Sequence, residues 1–250
     1  MTPENIQFRT GVIKGSECIK EGWALIKDQY WQFWGIVFVG VFLGSTVPIV
    51  LIGPMMVGIY LCFLRRMRGE PVEFGTLFKG FDYFAQGLIA ALIQMIPMFV
   101  VMVPLYIIMF AFMMTSMPRS GGRMDPDEQS RFIFSFLGFE LVFIAVILAV
   151  AFVVTIFFLF AFPLIADRNL SGVDAVKLSI KAARANLGGI LGLVALNFAL
   201  GFLGVLCCYV GAVFFMPVGF ASYAIAYRRV FPETTQNFAS PPPPPANWAA

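Results

Sequence analysis

The chain has 250 residues, 60% of them hydrophobic, 16% aromatic and only 12% charged, with 29 Phe, 13 Met and a formal net charge of +3. Soluble domains carry about 25% charged residues, so water could not solvate a surface of this composition, and a small net charge with no basic stripe argues against nucleic acid as a partner. Four cysteines without zinc spacing and a complete lack of histidine leave no metal site and no cofactor to expect.

In chain order, residues 1–30 form a charged cytoplasmic N-terminus without the short apolar core of a cleavable signal peptide, so the first span is expected to act as an uncleaved anchor. Within it, Ile19, Trp23, Ile26 and Tyr30 recur at four, three, four, which predicts an amphipathic helix lying in the membrane interface. Residues 31–229 make up the transmembrane domain. Apolar tracts run over about residues 30–64, 88–114, 132–165 and 187–227, and about 20 such residues cross a bilayer. The first and last tracts are long enough for two spans each if the chain turns near Ser45 to Pro54 and near Cys207 to Gly211. Residues 72–84 predict a second interfacial helix with Phe74, Leu77, Phe78, Phe81 and Phe84 on one face. Ser116 to Ser130 reads as a flexible outer loop. Ser171 followed by Asp174 predicts a capped helix through Asn186. Residues 232–250, with a run from Pro241 to Pro245, read as a disordered cytoplasmic tail.

Charge placement decides the number of spans, because Lys and Arg of short loops collect on the cytoplasmic side. With six spans that side holds Arg9, Lys14, Lys20 and Lys27, then Arg65, Arg66, Arg68 and Lys79, then Arg168, Lys177, Lys181 and Arg184, and last Arg228 and Arg229. The other side keeps Arg119, Arg123 and Arg131, next to Asp125, Asp127 and Glu128. Four spans would scatter the same charges over both faces. The fold expected is therefore an all-α bundle of six transmembrane helices in three hairpins, with both termini cytoplasmic.

An internal repeat points the same way. Lys20 and Lys27 align with Lys177 and Arg184, and after a six-residue insertion Pro54, Tyr60, Arg65 and Arg66 fall on Pro217, Tyr223, Arg228 and Arg229. The units cover about residues 15–68 and 172–231, in parallel orientation, with a divergent hairpin over about residues 72–165 between them.

Candidate chemistry is sparse. Glu140 is the acidic residue that must lie within the hydrocarbon, where it is either a protonated packing clasp or a functional carboxylate, and Gln94 and Asn197 are the polar residues able to meet it. Pro54 and Pro217 occupy matching positions near the start of a second span, where a proline is either a harmless first-turn residue or a helix break. Pro97 and Pro104 are expected to kink the third span. Arg65, Arg66, Arg68, Arg228 and Arg229 are candidate contacts for anionic lipid head groups. No nucleophile motif, phosphate loop or paired carboxylate occurs, so no catalytic residue is expected and the chain reads as a non-enzyme.

The segments Gly53-Pro54-Met55-Met56-Val57-Gly58-Ile59-Tyr60, Arg65-Arg66-Met67-Arg68-Gly69-Glu70 and Phe74 to Phe81, together with Pro163 to Arg168 and Ala175 to Asn186, resemble uncharacterised bacterial multi-span integral membrane proteins of the domain-of-unknown-function type. The resemblance covers about residues 15–233 and implies a bacterial cytoplasmic membrane, with no activity attached. The expected function is a non-catalytic membrane component that binds lipid or another membrane protein, itself included. The alternative is a channel or secondary transporter built on Glu140, Gln94 and Asn197.

Overall fold

The computed structural model describes residues 6–116, 125–206 and 210–233, and among these the regular structure is entirely helical, without a strand. α1 (Gly15–Ile26) and a 3₁₀ turn (Lys27–Gln29) lead into α2 (Tyr30–Thr46), which a break at Val47 separates from α3 (Pro48–Met67). A ten-residue 3₁₀ helix (Phe74–Tyr83) runs into α4 (Phe84–Ser116), and then come α5 (Pro126–Phe158), α6 (Ala161–Arg168), α7 (Gly172–Ala185), α8 (Leu187–Leu206) and α9 (Val210–Val230). Four stretches of the described chain are long and apolar enough to cross a membrane, over residues 49–67, 74–115, 126–168 and 187–206.

Several boundaries differ from the sequence-based expectation, each for a local reason. Pro48, which needs no backbone donor, takes the first turn of α3, so Pro54 lies a turn further in, and Pro217 is likewise interior to α9. Pro97 and Pro104 lie inside α4, which continues through both. The tract 132–165 is two helices: Pro163 cannot donate to Leu159, and the chain breaks at Leu159 and Phe160 before α6. Ser179 fills that break from α7, donating to the Phe157 carbonyl at 2.8 Å and accepting from the Phe160 amide at 3.1 Å. Residues 126–130 belong to α5, with Pro126 at its start and Asp127 and Glu128 in its first turn, where acidic side chains favour the positive helix end. Ser171 caps α7 as expected, accepting from the Asp174 amide at 3.2 Å. Residues 117–124 of the expected outer loop, residues 207–209 of the expected turn from Cys207 to Gly211, and the proline tail lie outside the described residues.

The segment after α3 is a 3₁₀ helix rather than an α-helix, and its buried side is not the phenylalanine face. Thr76, Leu77 and Gly80 are buried, whereas Phe74, Phe78 and Phe81 are exposed; Leu77 with Gly80, and Phe78 with Phe81, share a face at the three-residue spacing. It seats on α3 because Gly58 has no side chain: a Cβ there would stand 2.0 Å from the Leu77 carbonyl oxygen. α1 also turns a different face inward. Cys18, Gly22 and Ile26 are buried against the bundle and Trp23 is about half exposed.

Each amphipathic element lies on the last helix of the preceding group. The 3₁₀ helix packs on α3, α7 on α4, α6 and α5, and α1 closes the circuit on α9. Inside this ring Phe33, Met55, Phe63, Phe160, Tyr227 and Phe231 are fully buried. Paired contacts run in reverse order along neighbouring helices: Phe33 stacks on Phe63, while Gly44 meets Ile52. On α4 and α5, Tyr106 meets Phe143 and Phe112 meets Phe139.

α4 and α5 have 33 residues each, about 50 Å of helix at 1.5 Å per residue, against about 30 Å for a 20-residue helix. Their distal halves project beyond the ring and pack on each other, leaving Val100, Ile107, Phe110, Phe134 and Leu141 exposed.

Candidate functional site

Asp167 stands where the C-terminal ends of α3, α6 and α9 converge. α3 is ended by Gly69, whose φ of +73° suits a residue without a Cβ. Its neighbours donate back to the last turn, Gly69 N to the Arg66 carbonyl at 3.1 Å and Glu70 N to the Arg65 carbonyl at 3.0 Å. α6 ends on Asn169 at φ 56°, the left-handed conformation that asparagine tolerates. These two stops set Arg68 and Asp167 face to face.

The Asp167 side chain is 3% exposed. Arg228 grips it with both terminal nitrogens, each at 3.1 Å, and the Tyr227 hydroxyl donates to Oδ2 at 2.7 Å. Arg68 donates to Oδ1, and Arg168 Nε stands 3.2 Å from Oδ2. Glu233 adds a second carboxylate, 3.0 Å from Arg228 and 3.3 Å from Arg68, and Arg168 donates to the Pro232 carbonyl at 2.6 Å. Burial alone would lower the Arg68 pKa, but Asp167 and Glu233 outweigh it and raise the guanidinium above its ordinary value. A bidentate guanidinium on a desolvated carboxylate is a strong, geometrically specific contact. Chemically the cluster is a charge knot that ties three helix ends and the chain after α9 together.

A second knot lies beside it. Arg229 donates to Glu17 at 3.1 and 3.2 Å and to Glu21 at 2.6 Å, fastening α1 to α9. Hydrogen bonds from Lys14 and Arg229 hold the Glu17 carboxyl below the usual carboxylate range. Arg66 donates to the Leu25 carbonyl at 3.2 Å, and Arg65 stands 3.7 Å from Glu70. The five arginines expected to meet lipid head groups are thus engaged by the protein's own carboxylates and carbonyls.

Glu140, Gln94 and Asn197 do not come together. Gln94 lines a cavity of about 250 Å³ between α3, α4, α5 and α6, and Asn197 lines another of about 460 Å³ between α5, α8 and α9. Glu140 lines neither; it is half-buried on the projecting part of α5, without a hydrogen bond to another described residue. Sequence reading passed over Asp167, because an acidic residue next to an arginine at a helix end looks like an exposed pair. It also passed over Asn186, 4% exposed, which accepts from the Gly11 amide at 2.8 Å and donates to the Arg9 carbonyl at 3.1 Å.

No protein-family model matches the sequence, and neither the curated proteins nor the solved structures include one significantly similar to it.

Proposed function

We propose that this chain is a non-catalytic, six-span protein of the bacterial cytoplasmic membrane that holds anionic lipid around the ring of amphipathic helices. The observation carrying this reading is the position of the cations left over. Lys20 in the middle of α1, Lys27 just after it, Lys79 on the 3₁₀ helix, and Lys177, Lys181 and Arg184 on α7 are exposed and have no ion-pair partner among the described residues. Exposed Trp23, Phe74, Phe78 and Phe81 accompany them on the same elements. Aromatic rings at head-group depth beside cations worth about 1 kcal/mol each are the means by which an interfacial helix holds an anionic leaflet.

The six-span topology adds α2 and α9, of 17 and 21 residues, to the four stretches named above. For the helices after α3 it is supported by the meeting of the ends of α3, α6 and α9 at Asp167, which requires an even number of crossings between them. The circuit of amphipathic elements supports three related hairpin units, of which those over residues 15–68 and 172–231 are the repeat. Both termini then face the cytoplasm.

A second reading, binding to another membrane protein, is favoured by one observation: the projecting parts of α4 and α5 expose a long apolar surface. The transport alternative lacks comparable support, because Glu140, Gln94 and Asn197 share no cavity.

The test is lipid analysis of the protein extracted with its surrounding membrane in polymer-bounded discs. Anionic lipid should be enriched over the bulk membrane, and replacing Lys20, Lys27, Lys79, Lys177 and Lys181 together with Gln should remove the enrichment. A disc composition equal to the bulk membrane for the unmodified protein refutes lipid selectivity.

A further inference from the structure

The cavity between α5, α8 and α9 is about 460 Å³, within the range of sites that hold small hydrophobic molecules. Its walls are apolar except at two points, Asn197 on α8 and Tyr223 on α9. The orientation of the Asn197 amide follows from its neighbours. Ser222 Oγ donates its only proton to the Gly219 carbonyl at 2.8 Å, so it can only accept from Asn197 Nδ2, 3.0 Å away. The other Nδ2 proton goes to the Leu193 carbonyl at 3.0 Å. Both amide protons are therefore committed, and Oδ1 is left as an acceptor without a donor among the described residues. It faces Gly219 on the cavity wall, where a Cβ would stand 3.2 Å from it. The Tyr223 hydroxyl has no hydrogen-bond partner among the described residues either. Behind the wall, Tyr60 is 3% exposed, its ring edge-on to Phe220, and its hydroxyl too is without a described partner.

A polar group in an apolar site is costly when unpaired, and here an acceptor and a hydroxyl line one cavity, well away from the helix ends. We infer that this cavity is a binding site for a neutral hydrophobic molecule carrying a hydroxyl group, which donates to Asn197 Oδ1 and accepts from Tyr223. Phe202, 65% exposed, and Phe215, 42% exposed, stand at its edge on the outer surface, so such a molecule enters sideways from the hydrocarbon. The lateral route rests on the membrane reading above; the site itself rests on the cavity and its two polar groups. A charged head group finds no counter-ion there, and a plain alkane leaves both polar groups unpaired.

The test uses the full chain in lipid discs and two photoactivatable probes of equal length, a diazirine-bearing hexadecanol and the matching diazirine-bearing hexadecane. Labelled peptides are mapped by mass spectrometry. The alcohol should label residues 197–223 in preference to the alkane by about three- to tenfold, the worth of about one hydrogen bond, and unlabelled hexadecanol should compete. Tyr223→Phe removes only an unpartnered hydroxyl and should bring the alcohol down toward the alkane. Gly201→Phe should abolish labelling by both, since Gly201 lines the cavity and a Cβ there meets nothing within 4 Å. Equal, non-competable labelling of α8 and α9 by both probes, unchanged in Gly201→Phe, overturns the site. Labelling of α4 and α5 by the alkane reports separately on the membrane reading. If it is present while the cavity stays unlabelled, the site fails alone; if it is missing, the membrane reading fails.

Discussion

Replacing Asp167 with Asn keeps the volume of the side chain and removes its charge from the centre of three guanidiniums. Arg168 and Arg228 are each 13% exposed and Arg68 36%, so two of the three cations are left largely desolvated. Removing one partner from a buried ion pair costs about 3–5 kcal/mol. Glu233 still faces Arg68 and Arg228, which places the expected loss at the lower end of that interval. At about 2–4 °C per kcal/mol for a chain of this size, the unfolding midpoint should fall by about 6–12 °C. Cys18 and Cys62 are free and buried, so a thiol-reactive fluorophore reads the transition in detergent once Cys207 and Cys208 are replaced by Ser. Glu70→Gln is the control, because its contacts with Arg65 and Arg68 are long, at 3.7 and 3.9 Å, and partly exposed, worth about 0–1 kcal/mol. If Asp167→Asn shifts the midpoint no further than Glu70→Gln, the knot does not hold the helix ends and the reasoning from burial fails.

Gly58→Ala should destabilise by about 1–3 kcal/mol through overpacking against the Leu77 carbonyl, whereas Gly75→Ala, with nothing within 4 Å of its Cβ, should be close to neutral in the same assay. Ser179→Ala leaves the Phe157 carbonyl and the Phe160 amide at the α5 to α6 break without their bridge, a loss of about 1–3 kcal/mol that hydrogen exchange at Phe160 should localise. The Glu17 carboxyl has a folded-state pKa below its ordinary value, so its contribution is present above the ordinary carboxylate range and fades as pH falls through the lowered value. The difference in midpoint between the native protein and Glu17→Gln should therefore narrow on acidification, and a difference that widens refutes the pairing. Finally, with the native cysteines replaced by Ser, Lys79→Cys should resist an impermeant thiol reagent applied to intact cells, while Gln129→Cys, exposed at the start of α5, should react.

What could be read from the sequence was decided by length and composition. Tracts such as those over residues 88–114 and 187–227 are too long and too apolar to be anything but helices with a lipid-compatible surface, and Ser171 with Asp174 carries its own start signal. What escaped depended on partners far apart in the chain. The three-residue and 3.6-residue periods diverge by about half a turn over the ten residues from Phe74 to Tyr83, so a face drawn at the α-helical period does not mark the buried side, which the close seat on Gly58 shows. Asp167 meets groups 60, 61 and 99 residues away, and no local pattern announces such a meeting. Asn197 was legible as an intramembrane polar residue, but its pairing with Ser222, and so the direction of its free oxygen, was not.

The seam between α1 and α9 bears on how the molecule is made. Glu17 must wait for Arg229, 212 positions later, and at about 5–20 residues per second that is about 10–40 s of synthesis. Until α8 and α9 have been made, the face of α1 that carries Cys18 and Gly22 lacks the helices that cover it. Lodging at the lipid boundary during elongation keeps that face out of water, so α1, made well before α9, is among the last elements to find its permanent neighbours.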